Sequence, residues 1–513
     1  MYLILTASKD AYITNKILNS SYKATDANTG RAGTLDLFKL YNESSLKPDS
    51  NPIELSRILI KFNFDTLSDL TASTLDVTDS TFKAELKLRN IVNAQSVPRN
   101  FNICAYPLSM SFDEGRGRDV SGFADLDICN FVTASYSGGV VYPWNVTGAG
   151  NVGLMGSTDI DCISSGSLGS GVVDFGATQH FDEGTEDLVL DVTKIVSATL
   201  TNQISNHGFR IAFSGSEETD NKTRFVKRFG SRHSMNIFIR PEMHISFNDS
   251  IQDHHENFVF DVSGSLFLTN YHRGKRANIL SGSSLTPLVG SECMFVTIKT
   301  GSFSKVLTAS QHTGSTTGAG MTGIYSATFA IPFSDQTVVD GGSTVHNFAV
   351  TSGSLTFEEY WHSADETVGF YTGSLTIKAP NRNASSFVSR NAKIKVTNMK
   401  STYAHTDKVK FRLFGIDTYA QQNTPAKTAR NIKSVIYDEV YYRVVDSDAR
   451  KIVIPFSKGN KATLCSTDAD GMFFDFHMNA LHRNRVYHLE FLIVDGGTET
   501  RLTDASPRFK VVV

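Results

Sequence analysis

A chain of 513 residues exceeds one ordinary domain and, at roughly 150 residues per domain, points to about three. Hydrophobic residues make up 40% of it, enough for packed cores, so wholesale disorder and collagen-like repeats are excluded. Lys and Arg (49) nearly balance Asp and Glu (52), and a formal charge of −3 gives no global field to draw the chain onto nucleic acid or an anionic lipid surface.

The first residues, Met1 to Thr6, are apolar. They lack a basic start and meet Lys9 and Asp10 early, so no signal peptide is expected. No uncharged apolar run reaches the length of about 18 residues that a membrane span needs. From there onward the dominant signal has period two. Segments 35–41, 58–64, 82–88, 209–213 and 243–247 alternate apolar with polar residues, and so do 295–300, 374–378, 393–397, 408–414 and 487–493. Such alternation sets one face on a core and the other in water, the pattern of antiparallel sheet. Gly, Ser, Asn and Asp cluster between these segments and read as turns. One helix stands out at 191–200, with Asp191 as N-cap and Val192, Ile195, Val196 and Leu200 at helical spacing. A short echo, Ser/Thr-Gly-Ser-Leu at 165–168, 263–266, 352–355 and 372–375, recurs at unequal intervals; it reads as Gly-Ser turns leading into strands and not as a repeat. The last segment, 508–513, is expected to pair as a final strand.

Two composition shifts divide the chain. One is the polar stretch 248–256 after the strand-like 240–247; the other is 378–384, where Pro380 and polar residues close one strand before the next begins. The expected domains are 1–250, 251–380 and 381–513. The expected fold class is all-β: an N-terminal jelly-roll-like sandwich followed by two immunoglobulin-like sandwich modules.

Chemistry-bearing motifs are sparse. There is no GxxxxGK[ST], HExxH or GxSxG, and no GxGxxG is read as following a strand. Cys104, Cys129, Cys162, Cys293 and Cys465 show no CxxC spacing and read as buried thiols. Asp253-His254-His255-Glu256 collects metal-ligating types, but four consecutive residues of an extended segment cannot all face one ion, so a solvated linker is expected. Residues 467–471 resemble the middle of a calcium loop. Ser466 and His477 would stand at its first and twelfth positions, so a hairpin turn is expected instead. In the stretch 113–119, adjacent Asp113 and Glu114 point to opposite sides, which disfavours a glycosidase pair and favours a loop closed by Arg–carboxylate pairs. The acidic segment 181–187 reads as a turn before a strand, with an ordered calcium as the alternative. The basic, Phe-containing stretch 222–232 suits single-strand nucleic acid, but a strand with Phe225 and Phe229 inside and its basic side exposed is the favoured reading. Tyr142 and Trp144 are the candidate glycan contacts, by ring stacking in a Gly-rich loop region; the competing reading packs Trp144 in the core. No catalytic, cofactor-binding or metal-binding residue is assigned.

The N-terminal part resembles DNRLRE-type jelly rolls related to carbohydrate-binding modules. The resemblance rests on 7–13, Asn28-Thr29-Gly30, 56–62, 84–88, Asp113-Glu114-Gly115, Asp191-Val192-Thr193, 208–211, 229–232 and 240–243 in that order. The whole chain resembles the three-domain virion structural proteins of large tailed bacteriophages, through 266–270, 323–329, 359–362 and 370–374, then 440–443, 454–456, 470–476, 485–487 and 509–511. The resemblance implies a non-enzymatic particle component of the neck or collar, tail or baseplate. It would be assembled in the host cytoplasm, would act in several symmetric copies and would hold other virion proteins as partners, with no cofactor, nucleic acid or membrane insertion. The alternative is an adhesion protein that binds a host surface glycan or receptor through the N-terminal jelly roll.

Overall fold

A computed structural model describes residues 1–43, 53–71, 74–92, 97–282, 284–314, 320–381, 391–418, 434–503 and 505–513. The protein is all-β, and each of the ten alternating segments falls on a strand to within two residues. The chain divides into two compact units. The N-terminal unit holds Leu3–Asp69 and Phe82–Ser246; the C-terminal unit holds Met1–Tyr2, Leu70–Thr81 and Phe247–Val513. The division expected near 380 lies inside the C-terminal unit, and residues 382–384 of it lie outside the described residues.

In the N-terminal unit the strands run in the order Ala177–Phe181, Phe101–Pro107, Phe209–Phe213, Ile53–Phe62, Tyr2–Thr14, Glu242–Ser246, Lys83–Leu88, Leu188–Asp191. Thr34–Tyr41 joins Ile53–Phe62 and carries Arg224–Gly230 on its far side. Ile53–Phe62 forks: Ile53–Leu55 pair with Lys39–Tyr41, while Ile58–Ile60 pair with Phe209–Ile211. Strands shared in this way wrap the sheet around a core as a jelly roll does.

Alternation alone predicts that the outer faces of these strands are wet, and here the structure departs from it. All five residues of Phe209–Phe213 and all five of Glu242–Ser246 are buried. The segment between Pro107 and Ala177 folds back over the outer face and makes a second core, in which Ile13 and Leu59 of the sheet meet Phe112, Phe131, Ala149 and Trp144. Arg57 and Arg210 are trapped beneath it. Arg57 donates to Gly148 O at 2.7 Å and forms a two-pronged pair with Glu218 at 2.9 and 2.7 Å; Arg210 donates to Ala149 O at 3.0 Å. Gly148 is required there. Its φ is +78°, and a Cβ would lie 2.5 Å from the Phe131 ring and 3.0 Å from Arg57 Nη1.

The helix spans Thr193–Leu200 and not 191–200. Val192 is its N-cap, with no side-chain cap, and Asp191 ends the preceding strand while its Oδ1 accepts from the Thr193 N–H at 3.0 Å. Two of the Gly-Ser-Leu echoes are not turns either: 165–168 lies within strand Cys162–Leu168, and 372–375 within Gly369–Lys378.

The C-terminal unit contains two sheet systems. The first is a six-stranded antiparallel array, Gly264–Thr269, Gly320–Phe329, Phe303–Thr313, Met294–Thr300, Ser354–His362, Gly369–Lys378, around Trp361, Tyr325, Phe258 and Phe357. The second pairs a four-stranded sheet (Ala392–Val396, Lys408–Asp417, Gly471–His477, Ser466–Asp468) with a six-stranded one. The latter comprises Thr402–Ala404, Phe509–Val512, Val486–Asp495, Glu439–Asp446 and Lys451–Ile454, with Thr498–Leu502 beside Val486–Asp495. Between the sheets lie Phe411, Phe474, Phe476, Phe491 and Tyr442, whose ring stacks on Phe474 at 4.1 Å. The final strand runs parallel to Thr402–Ala404. At the start of Val486–Asp495, Tyr487 Oη donates to His482 O five residues upstream at 3.0 Å, the tyrosine corner of immunoglobulin-like sandwiches.

Candidate functional site

Of the two candidate glycan contacts, only Tyr142 offers a ring to solvent. Trp144 is buried in the second core and its Nε1 donates to Asn130 O at 3.0 Å, so it is removed from sugar stacking. Tyr142 sits on a two-stranded ribbon, Thr133–Ser137 and Val140–Pro143, turned by Gly138-Gly139 with φ of +61° and +86°. Neighbouring residues on a strand point to opposite faces. Val141 and Tyr142 are nevertheless both exposed, as are Tyr136 and Val140, so both faces of the ribbon are open.

The stretch 113–119 behaves as a loop closed by an Arg–carboxylate pair, but the arginine is Arg232 and not Arg116 or Arg118. Arg232 takes both oxygens of Glu114, at 2.5 and 2.6 Å, and its backbone N–H donates to Asp10 Oδ2 at 2.6 Å. Asp113 turns away and accepts from the Tyr136 N–H at 2.9 Å. Burial pushes the Asp10 carboxyl up to about 7, partly offset by the Arg232 N–H. Asp10, Glu114 and His233 bring three ligand-type atoms within 4.8 Å of one another. The Arg232 guanidinium already supplies the positive charge that a cation would bring to Glu114.

The basic stretch 222–232 follows expectation only in part. Phe229 is buried, but Phe225 is 44% exposed, while Arg224 and Lys227 are inside. A register shift between Arg224 and Lys227 causes the exchange, since an irregularity re-aims the side chains that follow it. The cations are paired internally: Arg224 with Asp220 at 2.8 and 2.7 Å, Arg228 with Asp36 at 2.7 and 2.6 Å, Arg232 with Glu114. Lys227 is fully buried in the acidic turn where a calcium was the alternative. Its three ammonium protons meet Asn90 Oδ1 at 2.8 Å, Gly184 O at 2.8 Å and Glu186 O at 2.7 Å. An ammonium thus stands where a metal ion was considered. Burial pulls it down to about 8, against the charges of Glu186 and Asp187.

Asp253-His254-His255-Glu256 is not a solvated linker. Asp253 is buried, and His255 donates from Nδ1 to Asp253 at 2.5 Å and from Nε2 to Glu359 at 2.7 Å. Trp361 Nε1 donates to the other Glu359 oxygen. Burial alone would lower His255, but the two carboxylates outweigh it and push it up to about 10, so the ring is an imidazolium. The same segment is stitched to the hairpin at 466–471, which is the turn expected there. Thr467 N–H donates to Ile251 O at 2.8 Å, Thr467 Oγ1 to Asp253 O at 2.9 Å and Gln252 Nε2 to Cys465 O at 3.0 Å. Sequence reading missed Glu359 and Lys227 as partners, because each lies some 40 to 140 residues from the groups it meets.

No family model matches the chain, and no curated protein matches it. Among solved structures, a biofilm-associated protein's BSP domain aligns at 9% identity over 99% of this chain and 96% of that one, with a TM-score of 0.15. Trypsin-activated alpha-2-macroglobulin from Escherichia coli aligns at 9% identity over 98% of this chain and 30% of that one, with a TM-score of 0.13. Both scores are too low to transfer a fold or a function.

Proposed function

We propose that this protein is a non-enzymatic structural component of a tailed-phage virion, in its neck or collar, tail or baseplate region, and that it acts in multiple copies by protein–protein assembly. The observation that carries the assembly part is the ribbon. A two-stranded ribbon with apolar residues open on both faces is poorly stable by itself and marks a surface awaiting a protein partner. The paired cations of 222–232 leave little free positive charge in that stretch for a polyanion. The resemblance of the chain to three-domain virion proteins supplies the setting.

Mass spectrometry of purified virions is expected to find the chain; its abundance in lysate with absence from particles would defeat the virion reading. Light scattering of the purified chain is expected to show an oligomer that Val140→Asp with Val141→Asp converts to monomer at an unchanged unfolding temperature. A wild-type monomer would remove the ribbon from assembly. The second reading, adhesion to a host glycan, has the exposed ring of Tyr142 in its favour. Binding of a surface polysaccharide that Tyr142→Ala abolishes would favour it.

A further inference from the structure

A cleft of about 260 Å³ in the C-terminal unit has no role in the assembly reading. Tyr271 and Tyr371 stand on its walls, 51% and 45% exposed. The hairpin turn at its edge presents Asp470, whose side chain is 84% exposed and lies 3.6 Å from Arg412. Arg412 also grips Asp468 with two N–H groups. Arg276 reaches Asp475 only at 3.4 Å. Behind these groups lie Asp253 and His255, locked in their own ion pair, so the floor is rigid and charged but already satisfied.

The charges of this wall say what it suits. Its cations, Arg276, Lys410 and Arg412, are matched by the carboxylates Asp468, Asp470 and Asp475. No net positive field remains to select a phosphate or carboxylate ligand. The Phe473 face is already taken by a cation, because Lys410 Nζ lies 3.7 Å from the centre of its ring. What remains is a mixture of fixed donors and fixed acceptors beside two half-exposed rings. A ligand that matches it carries adjacent groups which each donate and accept, on a body with apolar C–H faces. Sugar hydroxyls and the faces of a pyranose ring have that chemistry. The volume is below the roughly 300–1,000 Å³ that encloses drug-sized ligands, which limits the fit to about one ring.

We propose that this cleft binds a single uncharged sugar ring of a glycan, with Tyr271 and Tyr371 against its C–H faces and Arg412 and Asp470 on its hydroxyls. The proposal is independent of the ribbon and of the virion setting. One ring gives weak binding per copy, which several copies on one particle would strengthen through avidity.

The test uses the full chain on an array of neutral and acidic glycans, followed by saturation-transfer NMR with the methyl glycoside of the terminal sugar of any ligand found. Binding to at least one neutral glycan is expected. Tyr371→Ala and Asp470→Ala, both at exposed side chains, are each expected to weaken it about tenfold or more, with Met235→Ala, at a fully exposed side chain of the N-terminal unit, as a control that leaves it unchanged. Inorganic phosphate and a poly-glutamate peptide are expected not to compete. Failure to bind any neutral glycan, binding only of acidic glycans or the peptide, or binding insensitive to Tyr371→Ala would each overturn the proposal. Loss of binding in Tyr142→Ala alone would move the site to the ribbon and overturn it as well.

Discussion

Glu359→Ala is expected to destabilise the C-terminal unit by about 3–5 kcal/mol, the usual cost of removing one partner from a buried ion pair. Glu359 and Asp253 are almost fully buried, and the His255 imidazolium between them is largely buried with them, so water screens the pair little. Removing Glu359 also leaves Trp361 Nε1 without its acceptor. The chain has two tryptophans, and Trp361 lies in this unit while Trp144 lies in the other. Urea unfolding followed by fluorescence in a Trp144→Phe background therefore reads this unit selectively, as a chain of several modules requires. The pH dependence has a definite sign. His255 titrates near 10 when folded and near 6.5 when unfolded, so the folded state holds its proton more tightly. The stabilisation is complete below about pH 6.5 and is lost as pH rises through 10. An unfolding midpoint for Glu359→Ala equal to wild type at pH 6 would show that the ion pair contributes nothing.

Lys227→Met is expected to cost the N-terminal unit about 3 kcal/mol. The substitution keeps the bulk of the side chain but strands Gly184 O, Glu186 O and Asn90 Oδ1, and each buried polar group left unsatisfied costs about 1–3 kcal/mol, not fully additively. Lys227→Arg should not restore the loss, since a planar fork does not match a pocket shaped for a compact ammonium. Because the ammonium is drawn down to about 8, the unfolded chain binds more protons between about pH 8 and 10.5. Wild type therefore gains stability from this group as pH rises through that window, and Lys227→Met does not. Thermal unfolding read at Trp144 checks both statements. Calcium and a chelator should leave the wild-type transition in place; a shift with calcium would mean that the acidic turn holds a metal after all.

The residues show where sequence reading reached its limit. Strands were legible because alternation is a property of a few consecutive residues, and 408–414 or 487–493 carry it without any help from distant partners. Tyr142 and Trp144 look alike as ring-bearing loop residues, yet one is open and the other buried. What separates them is the packing of the segment between Pro107 and Ala177 over Leu59 and Ile13. Likewise Lys227 reads as a solvated cation beside Phe225 until the register shift turns it inward. His255 reads as part of a wet linker until Glu359, on a strand a hundred residues later, meets its second nitrogen.

The sequence by itself determined the all-β class, the positions of the ten alternating strands, the hairpin at 467–471 and the opposed directions of Asp113 and Glu114. These follow from backbone geometry that repeats every two residues. Only the tertiary structure decided which polar faces are wet. Covering the outer face of a sheet takes Arg57 and Arg210 out of water, a register shift turns Lys227 inward, and packing of its segment on distant strands encloses His255; a buried charge must then find a partner wherever the fold brings one. That partner is set by long-range pairing and not by neighbours in the chain, so the ion-paired interior, and the sugar-sized cleft beside part of it, appear only once the strands are assembled.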